Sequence, residues 1–303
     1  MISPNNTATD RLAYDFHMHS NISDGSLSPT ELVDRCADAG LKTIALTDHD
    51  SIDGLEEAGQ ACRARGIRLV HGTEISATWN DKNLHIVGLN IQTDNQALNA
   101  ALKGLQEMRQ SRAELMAQRL EKIGIPNALE ETSKIAGGGM ITRTHFSHFL
   151  IDHGYCKRPD QVFKRYLGQG KPAYVKTDWP TLETVVGWIS DAGGYAIVAH
   201  PQRYNFSATK MRHMLGDFAE MGGHGLEVIV GTGAPQDRNA GHNWASRFNL
   251  LASAGSDFHG RATPWIKLGN LPQLPAGLDN VAERLNIDPM TKPMEAPPSE
   301  TSG

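Results

Sequence analysis

Apolar and polar positions follow two different rhythms along this chain. Up to about Ser76, short β-rich runs (AYDFHMH, TIALTD and RLVHGTEIS) are separated by stretches with helical spacing, PTELVDRCADAG and a second ending near Arg65. Strands that return after each helix predict βα units and a parallel sheet. LHIVGLNI then follows after only the polar connection Asn80-Asp81-Lys82-Asn83, short enough for a hairpin. Beyond a predicted helix over about Thr181–Ala192 the first rhythm resumes: YAIVAH, a helix near Met211–Met221, GLEVIV, another helix and LLASAGSD. About seven strands result, which favours a closed or nearly closed α/β barrel.

Between residues 95 and 178 the period becomes helical. Leu98, Leu102, Leu105, Met108, Leu115 and Leu120 fall near one helical face, which Gly124 and Pro126 end. The stripe reads as core packing that anchors an inserted helical cap. The expected organisation is therefore barrel over 12–94, cap over 95–178, barrel again over 179–287, and a disordered tail rich in Pro, Ser and Thr over 288–303.

Composition narrows the class. The 303 residues are 39% hydrophobic and 21% charged, and no apolar run approaches the roughly 18 residues of a membrane span, so a soluble protein is expected. The opening MISPNNTATD lacks the basic stretch and apolar core of a secretory signal, which makes the cytoplasm the expected compartment. Cys36, Cys62 and Cys156 are odd in number and form no C-x-x-C pair, so they read as reduced buried thiols. A net charge of -5 excludes a globally basic nucleic-acid surface and leaves a local basic patch or metal-mediated phosphate binding.

The 13 histidines change the picture, because several stand at the ends of predicted strands. His17-Met18-His19 places two imidazoles on one strand face, with Asp24 in the following loop. His49 ends TIALTDHD, Glu74 lies in VHGTEIS, and His85, His200, Asp257 and His259 complete a set of nine. Most fall at the C-terminal ends of β-rich runs, the rim where parallel barrels carry their active sites. Imidazole and carboxylate donors without thiolate suit manganese, magnesium, iron or zinc, and nine are too many for one ion. By contrast His145, His148, His153, His213, His224 and His242 lie in helical segments and His71 within a strand, where a structural or exposed role is the better reading.

Taken in order, H-x-H-x4-D, T-D-H-D, G-T-E, L-H-I-V-G, A-H-P and S-D-x-H resemble the signature set of the PHP phosphoesterases, over roughly residues 12 to 285. Within that family the sequence is most similar to the branch holding 5′-to-3′ exoribonucleases of the RNase AM type and nucleoside 3′,5′-bisphosphate phosphatases. The resemblance implies a distorted (β/α)7 TIM-like barrel and three divalent ions, manganese first among the candidates. It puts one ion on His17, His19, Glu74 and Asp257, a second on Asp24, His49 and His259, and a third on Glu74, His85 and His200. Glu74 would bridge two of them. The implied substrates are pAp, cleaved to AMP and phosphate, and 5′-phosphorylated RNA, with no membrane or obligate protein partner.

Electrostatics supports a phosphate substrate independently. Three divalent ions bring six positive charges, and Asp24, Glu74 and Asp257 return three, so hydroxide and a phosphate dianion would balance the site. The expected reaction is in-line attack by metal-bound hydroxide, with Glu74, Asp257 and His200 at its centre and Asp48 orienting the neighbouring ligand His49. Arg143, at the start of a predicted cap helix, is the first candidate for substrate contact, followed by Arg203 and Tyr204 after A-H-P and by Lys176 in PAYVK. Three alternatives carry less support: a PHP phosphatase for a small ester such as histidinol phosphate, an amidohydrolase, and an inactive binding module. The intact ligand set argues against the last.

Overall fold

The computed structural model describes residues 11–231 and 233–287, and the expected tail lies outside them. Seven strands form one sheet in chain order: β1 (Tyr14–Asp15), β2 (Thr43–Leu46), β3 (Arg68–Trp79), β4 (Lys82–Leu89), β5 (Tyr195–Val198), β6 (Gly225–Val230) and β7 (Leu251–Gly255). β1 to β3 are parallel, as are β5 to β7, while β4 runs antiparallel to both of its neighbours. The hairpin expected between β3 and β4 thus makes β4 antiparallel, and its turn is tighter than the four polar residues suggested. Asn80 and Asp81 have φ of 44° and 58°, the two positive values of a type I′ turn, so the chain reverses within two residues. Lys82 and Asn83 begin β4 and are not part of the turn.

Closure occurs just beyond the strand ends. The Phe16 N–H donates to the Ala254 carbonyl (3.1 Å), the Asp257 N–H to that of His17 (2.8 Å), and Met18 bridges to Phe258. These bonds bring the first and last strands together and leave a nearly closed barrel. They also run through the candidate site, so closure and site geometry depend on the same residues.

Helices cover the outside. The sequence Ser28-Pro29-Thr30-Glu31 starts α1 (Pro29–Asp38) with a reciprocal cap: Ser28 accepts from the Glu31 N–H, and the Glu31 carboxylate from the Ser28 N–H. With α2 (Leu55–Arg65) it packs Leu32, Val33, Cys36 and Cys62 against Ile44 and Leu46 of β2. All three cysteines are buried and free.

The α3 helix (Gln96–Lys122), capped by Asn95, has two partners along its length. Leu98, Leu102 and Leu105 join the barrel core, whereas Ala113, Met116, Ala117 and Leu120 join a separate core with Phe146, Phe149 and Leu150. Leu115 departs from the expected stripe: it is 46% exposed, and Met116 fills the buried position. That second core also takes in α4 (Ala128–Ala136), α5 (Arg143–Asp152), α6 (Pro159–Val162) and the wide helical turn Phe163–Leu167. Each buried Phe or Leu contributes about 1.5–3 kcal/mol, so these helices hold together on their own core while α3 fastens them to the barrel. α7 (Leu182–Asp191), α8 (Ala208–Glu220), α9 (Pro235–Phe248) and α10 (Val281–Arg284) complete the layer. Among the described residues, no helix is long and apolar enough to cross a membrane.

Candidate metal centre

The strand ends converge on one buried cluster. His17 and His19 leave β1 with their Nε2 atoms 3.1 Å apart, because alternate residues of an extended segment share a face. Glu74 of β3 stands beside His49, with which it forms a parallel bridge, and reaches His85 of β4. His200 and Asp257 follow β5 and β7 with φ of 32° and 52°, unusual for non-glycine residues and found where surrounding structure enforces it. Here the enforcement is visible, since the His200 N–H donates to Glu227 Oε2 (2.6 Å) and the Asp257 N–H to the His17 carbonyl.

Glu74 is the hub. Its Oε1 lies 3.0 Å from both His85 Nδ1 and His200 Nε2 and 3.4 Å from His17 Nε2, and its Oε2 lies 2.9 Å from His49 Nδ1 and 3.3 Å from His19 Nε2. Burial alone would raise this carboxyl, but the surrounding histidines, His85 first, hold it well below the usual carboxylate range. Asp24 is held down in the same way, against its burial, by His49 and His259.

Donor atoms fall into three overlapping groups, each within 4.8 Å: His19, Asp24, His49 and His259; His17, His19 and Asp257; and His49, Glu74 and His85. His200 stands next to the third group through Glu74. Asp24 Oδ1, Glu74 Oε2 and His49 Nδ1 are buried without a hydrogen-bond partner, a costly arrangement that cations among them would relieve. The donor set therefore fits divalent metal ions.

All nine predicted ligands are brought together; the other predicted residues divide. Arg143 and Arg203 line the cavity of about 660 Å³ that opens over the cluster, and Arg203 pairs with Asp257. Tyr204 sits behind the site: its hydroxyl accepts from the His85 N–H (2.9 Å) and its ring packs edge-on to His200. Lys176 points to solvent, pairs with Asp178 and does not line the cavity. Asp48 makes no hydrogen bond to His49; its carboxylate accepts from the Ser20 N–H and from the Ser20 and Ser23 hydroxyls, bracing the loop between His19 and Asp24. Burial raises its pKa in spite of those bonds.

Sequence reasoning missed several members of the site. Glu227 of β6 accepts from the His200 N–H and lies 2.8 Å from His17 Nδ1, so it supports two of the candidate ligands; its signal was a lone acid in the apolar run GLEVIV. The hydroxyls of Thr142 and Thr144 donate to Asp24 Oδ2 (3.1 and 2.9 Å), linking the start of α5 to the cluster. Thr142 is also the N-cap of α5, and its own N–H donates to His145 Nδ1, which gives that buried histidine its structural role. Arg109 and Arg112, three apart on the buried side of α3, line the cavity and lie over the Trp179 ring at 5.3 and 5.4 Å. Arg109 is neutralised by Asp50 (2.6 Å) and also donates to Ser76. Arg112 is only 8% exposed, and among the described residues neither it nor Arg143 makes an ion pair or hydrogen bond, although Asp50 acts on the first and Asp24 on the second from further away. Burial first, and then the neighbouring guanidinium groups, lower the pKa of both.

A nearly closed seven-stranded barrel with His, Asp and Glu gathered at its mouth defines a metallohydrolase-like class. Residues 15–132 match the PHP domain family, and the chain belongs to that family. It is 43% identical over 256 residues to a 5′-3′ exoribonuclease of Haemophilus influenzae, covering 84% of this chain and 93% of the relative. It is 42% identical over 262 residues to a 3′,5′-nucleoside bisphosphate phosphatase of Chromobacterium violaceum, covering 86% and 92%. A solved Chromobacterium violaceum structure, described as an amidohydrolase with bound sulfate and no metal, superposes with a TM-score of 0.86 at 40% identity, covering 90% of this chain and 96% of that one.

Proposed function

We propose that this protein hydrolyses phosphate esters next to a 5′-phosphorylated nucleoside, releasing phosphate from pAp and shortening 5′-phosphorylated RNA from its 5′ end. The observation that carries the reading is the facing of two unlike sites across one cavity. On the barrel side are the clustered donors; on the cap side are Arg112 and Arg143, two cations that no carboxylate contacts among the described residues. A buried, unpaired guanidinium is unfavourable unless an anion meets it, and a phosphate is the anion whose geometry it matches. A small monoester with a single phosphate would use only one of these sites, which disfavours the histidinol phosphate alternative.

The residues then divide the work. Arg112 and Arg143 hold the terminal 5′ phosphate, while Arg109, already paired with Asp50, keeps the wall in place. His17, His19, Asp24, His49, Glu74, His85, His200, Asp257 and His259 would hold three divalent ions, with manganese the first candidate for this oxygen and nitrogen donor set. Such ions, when bound, supply a water of lowered pKa and stabilise charge on the phosphoryl oxygens. Arg203, which lines the cavity and pairs with Asp257, would steady the phosphate being cleaved. The cavity volume suits a mononucleotide or a single chain end. RNA and pAp are met in the cytoplasm, where we place the enzyme.

The test supplies pAp and RNA oligomers bearing either phosphate or hydroxyl at the 5′ end, with manganese, and follows phosphate and nucleotide release. Successive mononucleotides from the 5′-phosphorylated end are expected, with at least a tenfold preference over the 5′-hydroxyl form. Release from the 3′ end, mainly internal cleavage, or indifference to the 5′ phosphate would overturn this reading.

A further inference from the structure

Six residues past the ligand His259, the indole of Trp265 is 65% exposed, the most exposed large apolar side chain among the described residues. Its loop is well held. The His259 N–H donates to Thr263 Oγ1 (2.9 Å), the Ile266 N–H to the Thr263 carbonyl (2.9 Å), and the Arg261 N–H to Ser26 Oγ (3.0 Å). Ile266 is buried in the same core as Phe258. The ring is therefore presented outward by an anchored loop.

Beside it lies a second cavity of about 740 Å³, whose lining includes Phe258, Gly260 and Arg261 of the segment that carries His259. Pro264 and Ile266, which flank Trp265, line it, and so do Arg35, Arg261 and Lys267. Asp38, the acidic residue of that lining, is already paired with Arg65, and Arg261 is paired with Asp152. Arg35 and Lys267 have no ion-pair partner among the described residues. An otherwise acidic chain thus sets cations and an outward-facing aromatic ring side by side, next to the site.

We propose that this cleft and the Trp265 ring form a binding track for single-stranded RNA on the 3′ side of the phosphate being cleaved. The proposal rests on the reading above. With the 5′ phosphate on the cap wall and the next phosphate at the metal centre, a strand that continues past His259 meets the segment that carries Trp265. A ring there stacks a base of any identity, while Arg35, Arg261 and Lys267 follow the backbone. A protein partner fits less well, because none of the other large exposed apolar side chains among the described residues, Leu115, Ile123 and Phe163, lines this cleft, and Phe163 lines the cavity over the metal centre instead. Since Trp265 is only six residues from His259, the track begins within about 20 Å of the metal centre, a span of a few nucleotides.

The test compares wild type with Trp265→Ala and Lys267→Glu, each loaded with manganese. Binding is read by fluorescence anisotropy of a 5′-hydroxyl RNA decamer carrying fluorescein at its 3′ end, which lacks the phosphate that the arginine pair would hold. Turnover is read on pAp and on a 5′-phosphorylated decamer. Both variants should bind the decamer about tenfold more weakly and show a raised KM for the phosphorylated decamer, with pAp hydrolysis unchanged. Unchanged decamer binding would overturn the track, as would an equal loss on pAp. If Trp265→Ala instead converts a dimer to a monomer in sedimentation while RNA binding stays intact, the ring belongs to a protein interface and the proposal fails. Wild-type protein that binds the decamer through Trp265 yet cuts no RNA would sustain the track and defeat the exonuclease reading, so the two failures are separable.

Discussion

Replacing Glu227 with Gln tests whether the metal centre depends on its hidden support. The Glu227 oxygens face two groups: Oε1 is 2.8 Å from His17 Nδ1, and Oε2 accepts from the His200 N–H at 2.6 Å. If His17 binds metal through Nε2, which faces Glu74 and Asp257, its Nδ1 carries the proton and both partners of Glu227 are donors. An amide has one oxygen to accept with, so one donor is left facing an NH2 group. Rotation offers no escape, because the neighbourhood is close-packed: even a Cβ added at Gly255 would lie 2.2 Å from His17 Cβ and 2.7 Å from Glu227 Oε1. Losing one buried, charge-assisted hydrogen bond costs about 1.5–3 kcal/mol, which corresponds to roughly 10–100-fold in metal affinity. The assay is manganese titration of metal-stripped protein against a competing chelator, alongside thermal melts of the metal-free form. Wild-type manganese affinity in Glu227→Gln would refute the argument. So would weaker binding that tracks a matching loss of stability in the metal-free protein, since Glu227 would then be supporting the fold and not the ligands.

Glu74→Gln should reduce both bound metal and turnover, by metal analysis and pAp assay, because one carboxylate approaches five histidines; full activity at saturating manganese would remove the bridging role. Arg112→Met and Arg143→Ala should each raise KM for pAp about tenfold or more while keeping wild-type metal content. Loss of metal with unchanged kinetics per bound ion would show that the cap arginines were misassigned. Arg112→Met should in addition raise the melting temperature of the substrate-free protein, by about 2–4 °C, since a buried cation without a partner is replaced by an apolar chain of similar volume.

Much of this protein was legible from local pattern. Strand runs ending in His, Asp or Glu pointed to the barrel rim because period and residue type are both local, and the helical spacing of PTELVDRCADAG marked α1 for the same reason. The reversal at Asn80-Asp81 could be read as a hairpin for the same reason, although the exact two-residue turn could not. What tertiary structure decided were relations between residues far apart in the chain. Glu227 meets His17 across 210 positions, and Thr144 meets Asp24 across 120, and no periodicity encodes such pairs. Asp48, Tyr204 and Lys176 were judged by nearness in sequence, but each side chain turned elsewhere: to the Ser20 and Ser23 loop, behind His85, and out to Asp178. Arg112 shows the reason most clearly. On α3 it is one more arginine on a helix, and only the packing of that helix against Trp179 makes it a buried charge awaiting an anion.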